Sequence, residues 1–222
     1  IGTYRADGRS FPGLVQPDGT VNDISGLYAD THAVFDDWDR GFDVLHALAQ
    51  EAPDSPHRLE SLEALTPLRH PQILGGGANY VQHVAEMLTF QKYNQHNRLE
   101  GESDEEFFQR NLIEVRRRKT EGMPFLWTGL HGSLGGANDD IEIPLIGEHM
   151  EWELELGVVV GRGGRYVPPD QAGALIAGYV MVNDLGMVDE FRRADVRWGY
   201  DWISKNQPGA WPIGPFIVPK QF

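Results

Sequence analysis

The sequence has no cysteine among its 222 residues. Disulfides, thiolate nucleophiles and thiolate metal sites are therefore excluded, and the lack of a disulfide framework fits a reducing cytoplasm. Positive charge is scarce: 19 Lys and Arg against 33 Asp and Glu give a formal net charge of −14. Nucleic acids and anionic membranes are bound by clustered bases. The one basic run, Arg116 to Lys119, follows an acidic run and suits a solvated helix face. No apolar stretch reaches the ~20 residues that span a bilayer, and no signal-peptide pattern opens the chain. The chain begins with Ile1 rather than Met, so residues upstream are expected to have been removed. These absences predict a cytoplasmic protein with neither a nucleic-acid nor a membrane partner.

What is present is an ordinary globular balance, 41% hydrophobic and 23% charged, in a chain long enough for one large or two small domains. Residues 1 to about 65 read as a small α+β unit. Asp18-Gly19 between short apolar segments predicts a hairpin, and "FDVLHALAQEA" has helical spacing up to a stop near Pro53. The proline-rich stretch from Glu51 to Pro71 reads as a linker to a second domain over residues 66–222. There "PQILGGGANYVQHVAEM" predicts a strand, a glycine-rich turn and a helix from about Tyr80. Residues 88–121 form a charged insertion with a helix from about Asp104 to Lys119. Ser103 is its candidate N-cap, with acids in the first turn and bases in the last. "DDIEIPL", "EWELELGVVVG", "GALIAGYVMVNDL" and "WPIGPFIVP" are mostly β-type, and only "PPDQAGALIAG" reads as a helix. "GRGGR" at Gly161 to Arg165 lacks both dinucleotide and P-loop spacing and reads as a turn.

Glu151, Glu153 and Glu155 alternate with Trp152, Leu154 and Leu156, so on a strand the three acids share one face. Two readings stand side by side. One is a half-exposed strand with acids to solvent and apolar residues to the core. The other is a pair of convergent carboxylates, ~7 Å apart along the strand, whose repulsion a hard divalent cation relieves. Oxygen ligands alone favour Mg²⁺, Mn²⁺ or Ca²⁺ over zinc. Asp184 ends the apolar run "GYVMVND". It is either an Asx-turn or helix cap or an ionised acid that needs a partner. His83 and Glu86, three apart on a helix, are either an incidental surface pair or a general base with its orienting carboxylate. Lys205, before a Pro/Gly-rich segment, has on spacing alone only the standing of a surface lysine.

Four segments in one order resemble the fumarylacetoacetate hydrolase family. "GANYVQHVAEM" is similar to its N-Y-x-x-H-x-x-E segment and "EWELELGVVVG" to its E-x-E-L strand. "GYVMVNDL" resembles its G-Y-x-x-x-N-D segment, and "SKNQPGAWPIGPFIV" its lysine-bearing segment. The resemblance spans residues 71–218, and residues 1–65 look like the small N-terminal domain of many members. It implies an α+β, mainly β fold: a mixed β-sandwich roll preceded by that α+β domain. It also implies Glu153, Glu155 and Asp184 as ligands of Mg²⁺ or Mn²⁺, with Ca²⁺ able to replace them in crystals. His83 and Glu86 would activate water, Lys205 would meet the keto acid or the developing anion, and Arg192 is a further candidate for substrate.

The function so implied is metal-dependent hydrolysis of a C–C bond in an acylpyruvate-like or 1,3-dicarbonyl acid, by a homodimer acting on a small oxo acid. The alternatives are a lyase on the same scaffold (a 2-oxo acid decarboxylase, or a sugar-acid dehydratase or hydratase) and a non-catalytic metal- or ligand-binding module. The chain departs from the family pattern where Val188 and Phe191 stand at positions of an Arg and a Gln, and where Thr128 replaces a lysine. The insertion at 88–121 is longer than usual, and the roll is expected to be unfinished at Phe222. These departures spare the metal triad and leave substrate and reaction type open.

Overall fold

The computed structural model describes residues 1–91, 95–191 and 203–222. It opens with β1 (Gly2–Ala6) and β2 (Arg9–Val15), an antiparallel hairpin. Its turn, Asp7-Gly8, holds both residues at positive φ, 50° and 78°, the mirror-image turn whose twist matches the strands. The expected second hairpin joins β2 to β3 (Val21–Asp23), with Asp18 Oδ1 accepting from the Thr20 amide at 2.9 Å. Helix α1 (Thr31–Asp36) starts from Asp30, whose side chain accepts from the Ala33 amide. Helix α2 (Trp38–Glu51) ends at Ala52 in the left-handed conformation, just before Pro53. The stretch read as a linker then supplies β4 (Glu63–Leu65), which pairs with β1 and completes the order β3-β2-β1-β4. Burial explains the return, since Leu62 and Ala64 pack with Tyr4, Phe11 and Val21.

Strand β5 (Ile73–Gly76) leads to α3 (Val81–Thr89), then α4 (Asp104–Glu121) and β6 (Leu126–Gly129). β5 and β6 pair antiparallel, and Gly75 is where they close on Trp127: a Cβ there would stand 2.3 Å from its ring. The α4 N-terminus is a full capping box between Ser103 and Glu106, which satisfies two otherwise orphaned amides. Phe107, Leu112 and Val115 of α4 are buried, as are Val84 and Ala85 of α3, and the two helices pack together. Asn111 Nδ2 donates to Thr89 Oγ1 at 3.2 Å between them. The basic run Arg116 to Lys119 lies exposed on α4.

Next come β7 (Leu134–Gly135), β8 (Met150–Glu151), β9 (Leu154–Val160), α5 (Pro169–Ala172), β10 (Ile176–Asn183), β11 (Gly186–Met187) and α6 (Val188–Phe191). β12 (Trp211–Pro212) and β13 (Val218–Pro219) end the chain. β12 runs parallel to β7, and one sheet has the order β13-β10-β9. The segment "DDIEIPL", expected to be a strand, is irregular: Ile141, Ile143 and Leu145 are exposed and pair with no strand among the described residues. No sheet among the described residues closes into a barrel. One apolar cluster joins the first third of the chain to the rest, through Ile1, Leu14 and Trp38 with Val159, Val180 and Ile217. No helix among the described residues is long and apolar enough to cross a membrane.

Two short pairings prove to be parts of one ladder. β8 pairs with β11 through Met150↔Met187 and Glu151↔Gly186. β9 pairs with β10 in the same register, from Leu154↔Asn183 to Val159↔Gly178. Between them the Asp184 amide donates to the Glu153 carbonyl at 2.9 Å, and beyond them the Val188 amide donates to the His149 carbonyl at 2.9 Å. The chain from His149 to Val159 thus faces the chain from Gly178 to Val188 without a slip.

The faces of this ribbon reverse the half-exposed-strand reading. Leu154 and Leu156 are 69% and 63% exposed, and Trp152, Val158 and Val160 are exposed with them. The acids instead share the face of the buried Val159, Val180 and Val182, with Glu151 and Glu153 themselves exposed at its outer end. Glu155 is half-buried there.

Candidate metal centre

Register fixes the triad. Glu153 and Asp184 stand directly opposite on the ladder, and Glu155 stands two residues along on the same face, opposite Val182. Facing side chains have Cβ atoms about 4.5–5.5 Å apart, and like charges so placed repel. Here all three carboxylates offer an oxygen within 4.8 Å of the others. Glu151, on the same face, stands outside this group, opposite Gly186.

Lys205 offsets part of the repulsion. Its ammonium lies 2.7 Å from Glu153 Oε1 and 3.1 Å from Asp184 Oδ2. It reaches them across Gly186, where a Cβ would stand 3.1 Å from Nζ. Its neighbours hold the segment: Ser204 Oγ donates to the Met187 carbonyl at 3.0 Å, and the Asn206 side-chain oxygen accepts from the Leu130 amide at 2.6 Å. Sequence reasoning missed both, although their adjacency to Lys205 was a usable signal.

Among the described residues one cation, Lys205, stands against three acids. Burial, and then the neighbouring carboxylates, push the Asp184 carboxyl up to about 6 against the pull of Lys205. Burial and Glu153 raise Glu155 as well. Asp184 Oδ1 is buried with no hydrogen-bond partner, a costly state for a carboxylate oxygen. An all-oxygen donor set with an orphaned buried oxygen fits a hard divalent cation. Glu153, Glu155 and Asp184 are the residues that would hold it.

The His83–Glu86 pair is not joined. Both lie exposed on α3, and Glu86 Oε1 accepts from Gln82 Nε2 at 2.7 Å. Arg192 lies outside the described residues, as does the span up to residue 202. Val188 is buried, and at its position no cationic side chain enters the site.

A second imidazole–carboxylate pair escaped the sequence reading. His149 Nδ1 lies 2.9 Å from Asp189 Oδ1, while Asp189 Oδ2 accepts from the amides of Glu148 at 2.6 Å and His149 at 2.8 Å. These hydrogen bonds hold the Asp189 carboxyl down at about 2. An ionised carboxylate only accepts, so Nδ1 carries the proton and Nε2 points away from the pair. Forty residues separate the partners, with no motif linking them.

Comparison with known proteins follows the same lines. The family model described as the fumarylacetoacetate hydrolase C-terminal domain matches residues 72–221. A 2,4-didehydro-3-deoxy-L-rhamnonate hydrolase of Sphingomonas sp. (strain SKA58) is 27% identical over 216 residues, 95% of this chain and 60% of its own length. The oxaloacetate tautomerase FAHD2B of Homo sapiens is 30% identical over 98 residues, 44% of this chain and 30% of its own. Among solved structures, maleylpyruvate hydrolase from Sphingobium sp. SYK-6, in complex with manganese (II) ion and pyruvate, superposes with a TM-score of 0.65. It has 18% identity and covers 100% of this chain and 68% of its own. A fumarylacetoacetate hydrolase from Exiguobacterium antarcticum gives 0.61 at 18% identity, covering 99% and 66%. The chain thus spans 60% of the length of the rhamnonate hydrolase it resembles. With the family model matched over most of its residues and the fold shared, the chain belongs to the fumarylacetoacetate hydrolase family.

Proposed function

We propose that the protein is a Mg²⁺- or Mn²⁺-dependent hydrolase that cleaves the C–C bond of an acylpyruvate-like acid. The observation that carries this reading is the triad of Glu153, Glu155 and Asp184 within 4.8 Å, with Asp184 Oδ1 buried and unpartnered. Similarity to a hydrolase of an oxo sugar acid and to the fold of a maleylpyruvate hydrolase holding manganese and pyruvate supports it. Glu153, Glu155 and Asp184 would hold the divalent cation, which would supply Lewis-acid polarisation of the bound 2-oxo acid.

The chain's own residues do the rest. Lys205, already beside two carboxylates, gives positive charge to the substrate's acid group and to the charge that develops as the bond breaks. His83 takes a proton from water, whose oxygen bonds to the acyl carbon. The electrons of the broken C–C bond leave with the 2-oxo acid fragment, which then takes up a proton. Replacing one general base of this kind costs about 10²–10⁴-fold in rate, so His83→Ala is expected to lose that much acylpyruvate hydrolysis. Undiminished hydrolysis would sink the mechanism. Calorimetric titration with Mg²⁺ and Mn²⁺ tests the site directly. The Glu153→Gln/Glu155→Gln double variant should bind neither, and parental affinity in that variant rejects the triad.

One observation favours a second reading. Glu86 bonds to Gln82 rather than to His83, and enol chemistry without water needs no oriented base on α3. A lyase or tautomerase on the same triad would keep its activity in His83→Ala while losing it in the double variant.

A further inference from the structure

Lys205 is held where a lysine seldom stays. An ammonium is strongly hydrated, and its flexible four-carbon stem normally carries it to water. Here the residue is only 5% exposed. Its Nζ lies 2.7 Å from Glu153 Oε1, 3.1 Å from Asp184 Oδ2 and 3.4 Å from the Asp184 carbonyl oxygen. The end of the stem lies over Gly186, where a Cβ would stand 3.1 Å from both Cε and Nζ. One residue earlier, the buried Ser204 anchors the segment through its bond to the Met187 carbonyl. The ammonium is thus a fixed positive charge in contact with two of the three carboxylates that gather within 4.8 Å.

A fixed charge at that place repels any cation the triad holds, because ion and ammonium share the same two acids. Coulomb repulsion scales with the charge on the ion, so a trivalent ion is opposed by one unit more than a divalent one. Burial preserves the effect, whereas a solvent-exposed lysine would be screened by water and salt. Every other charge around the site is common to the protein with and without the lysine's charge, and cancels when the two are compared.

We infer that Lys205 sets the charge preference of the metal site, favouring divalent over trivalent hard cations. This rests on the triad as the metal site and adds which ions that site accepts. A lysine that only orients the Glu153 and Asp184 carboxylates would change the affinity for ions of either charge alike. One that serves only the substrate would change neither.

The test compares Ca²⁺ with Tb³⁺, two oxygen-seeking ions of similar size, by calorimetric titration of the protein without substrate. The ratio of Tb³⁺ to Ca²⁺ affinity should rise about tenfold in Lys205→Gln, because one more unit of ion charge escapes the ammonium's repulsion. Lys205→Met, equally neutral but without a hydrogen-bond donor, should give the same rise. Lys205→Arg, which keeps the charge, should keep the parental ratio. A ratio unchanged in the neutral variants overturns the assignment of Lys205, even if both affinities move together. So does a rise that Lys205→Arg shares, which would mark a lost fit rather than a lost charge. A parent that binds neither ion overturns the triad reading beneath it.

Discussion

Asp184 carries the sharpest electrostatic conflict among the described residues. It is buried, faces Glu153 across the ladder, and keeps one oxygen unpartnered. Its carboxyl is raised from 3.8 to about 6, so in metal-free protein its stabilising contribution is full below about pH 4. That contribution is lost as pH rises through about 6, because the unfolded chain gives up its proton first. Metal-free Asp184→Asn should therefore gain thermal stability over the parent between pH 4 and 7, while keeping the Lys205–Glu153 pair. With saturating Mn²⁺ the order should reverse, since the variant lacks a ligand. Thermal unfolding at the two pH values, with and without Mn²⁺, checks this; a variant less stable than the parent at pH 7 without metal contradicts it. Asp189 behaves oppositely. Its carboxyl is held at about 2 by three hydrogen bonds, so its contribution is present above about pH 4 and fades in stronger acid.

At the scale of elements, α4 was legible because its ends are written locally. Ser103 before three acids is a start signal that needs no tertiary partner, and the capping box is present. Ser103→Ala should cost about 1 kcal/mol, read as a lowered unfolding midpoint, and should leave Mn²⁺ affinity unchanged because α4 contributes no triad residue. A change in metal affinity would show that the helix pair reaches further than its packing suggests. The ribbon from His149 to Val188 was legible only in part. Alternation told that Glu153 and Glu155 share a face, but not which face is inward, because period-two patterns are symmetric until a partner covers one side. Val180 and Val182 on the facing strand, both buried, decide it. "DDIEIPL" failed for the complementary reason: a β-type pattern becomes a strand only where another strand receives its hydrogen bonds.

For the whole molecule, the outward face of that ribbon is the conspicuous surface. Trp152, Leu154, Leu156, Val158 and Val160 are exposed along an edge strand, joined across the sheet by Met181. Contiguous apolar surface of this kind promotes association. Leu154→Thr/Leu156→Thr should shift the protein toward monomer in sedimentation velocity and lower its binding of a hydrophobic dye, with Mn²⁺ affinity retained because the acids point the other way. Unchanged sedimentation would exclude this face from self-association. The sequence by itself determined the acid types and their order along the chain, the absence of thiol chemistry, the start of α4 and the turn at Asp18-Gly19. Each of these is set by residue identity or by neighbours a few positions away. Tertiary structure alone decided that Asp184 faces Glu153, that Gly186 opens the space for Lys205, and that His149 meets Asp189. Those facts depend on register between strands and on packing between segments far apart in the chain, which spacing along one strand cannot encode.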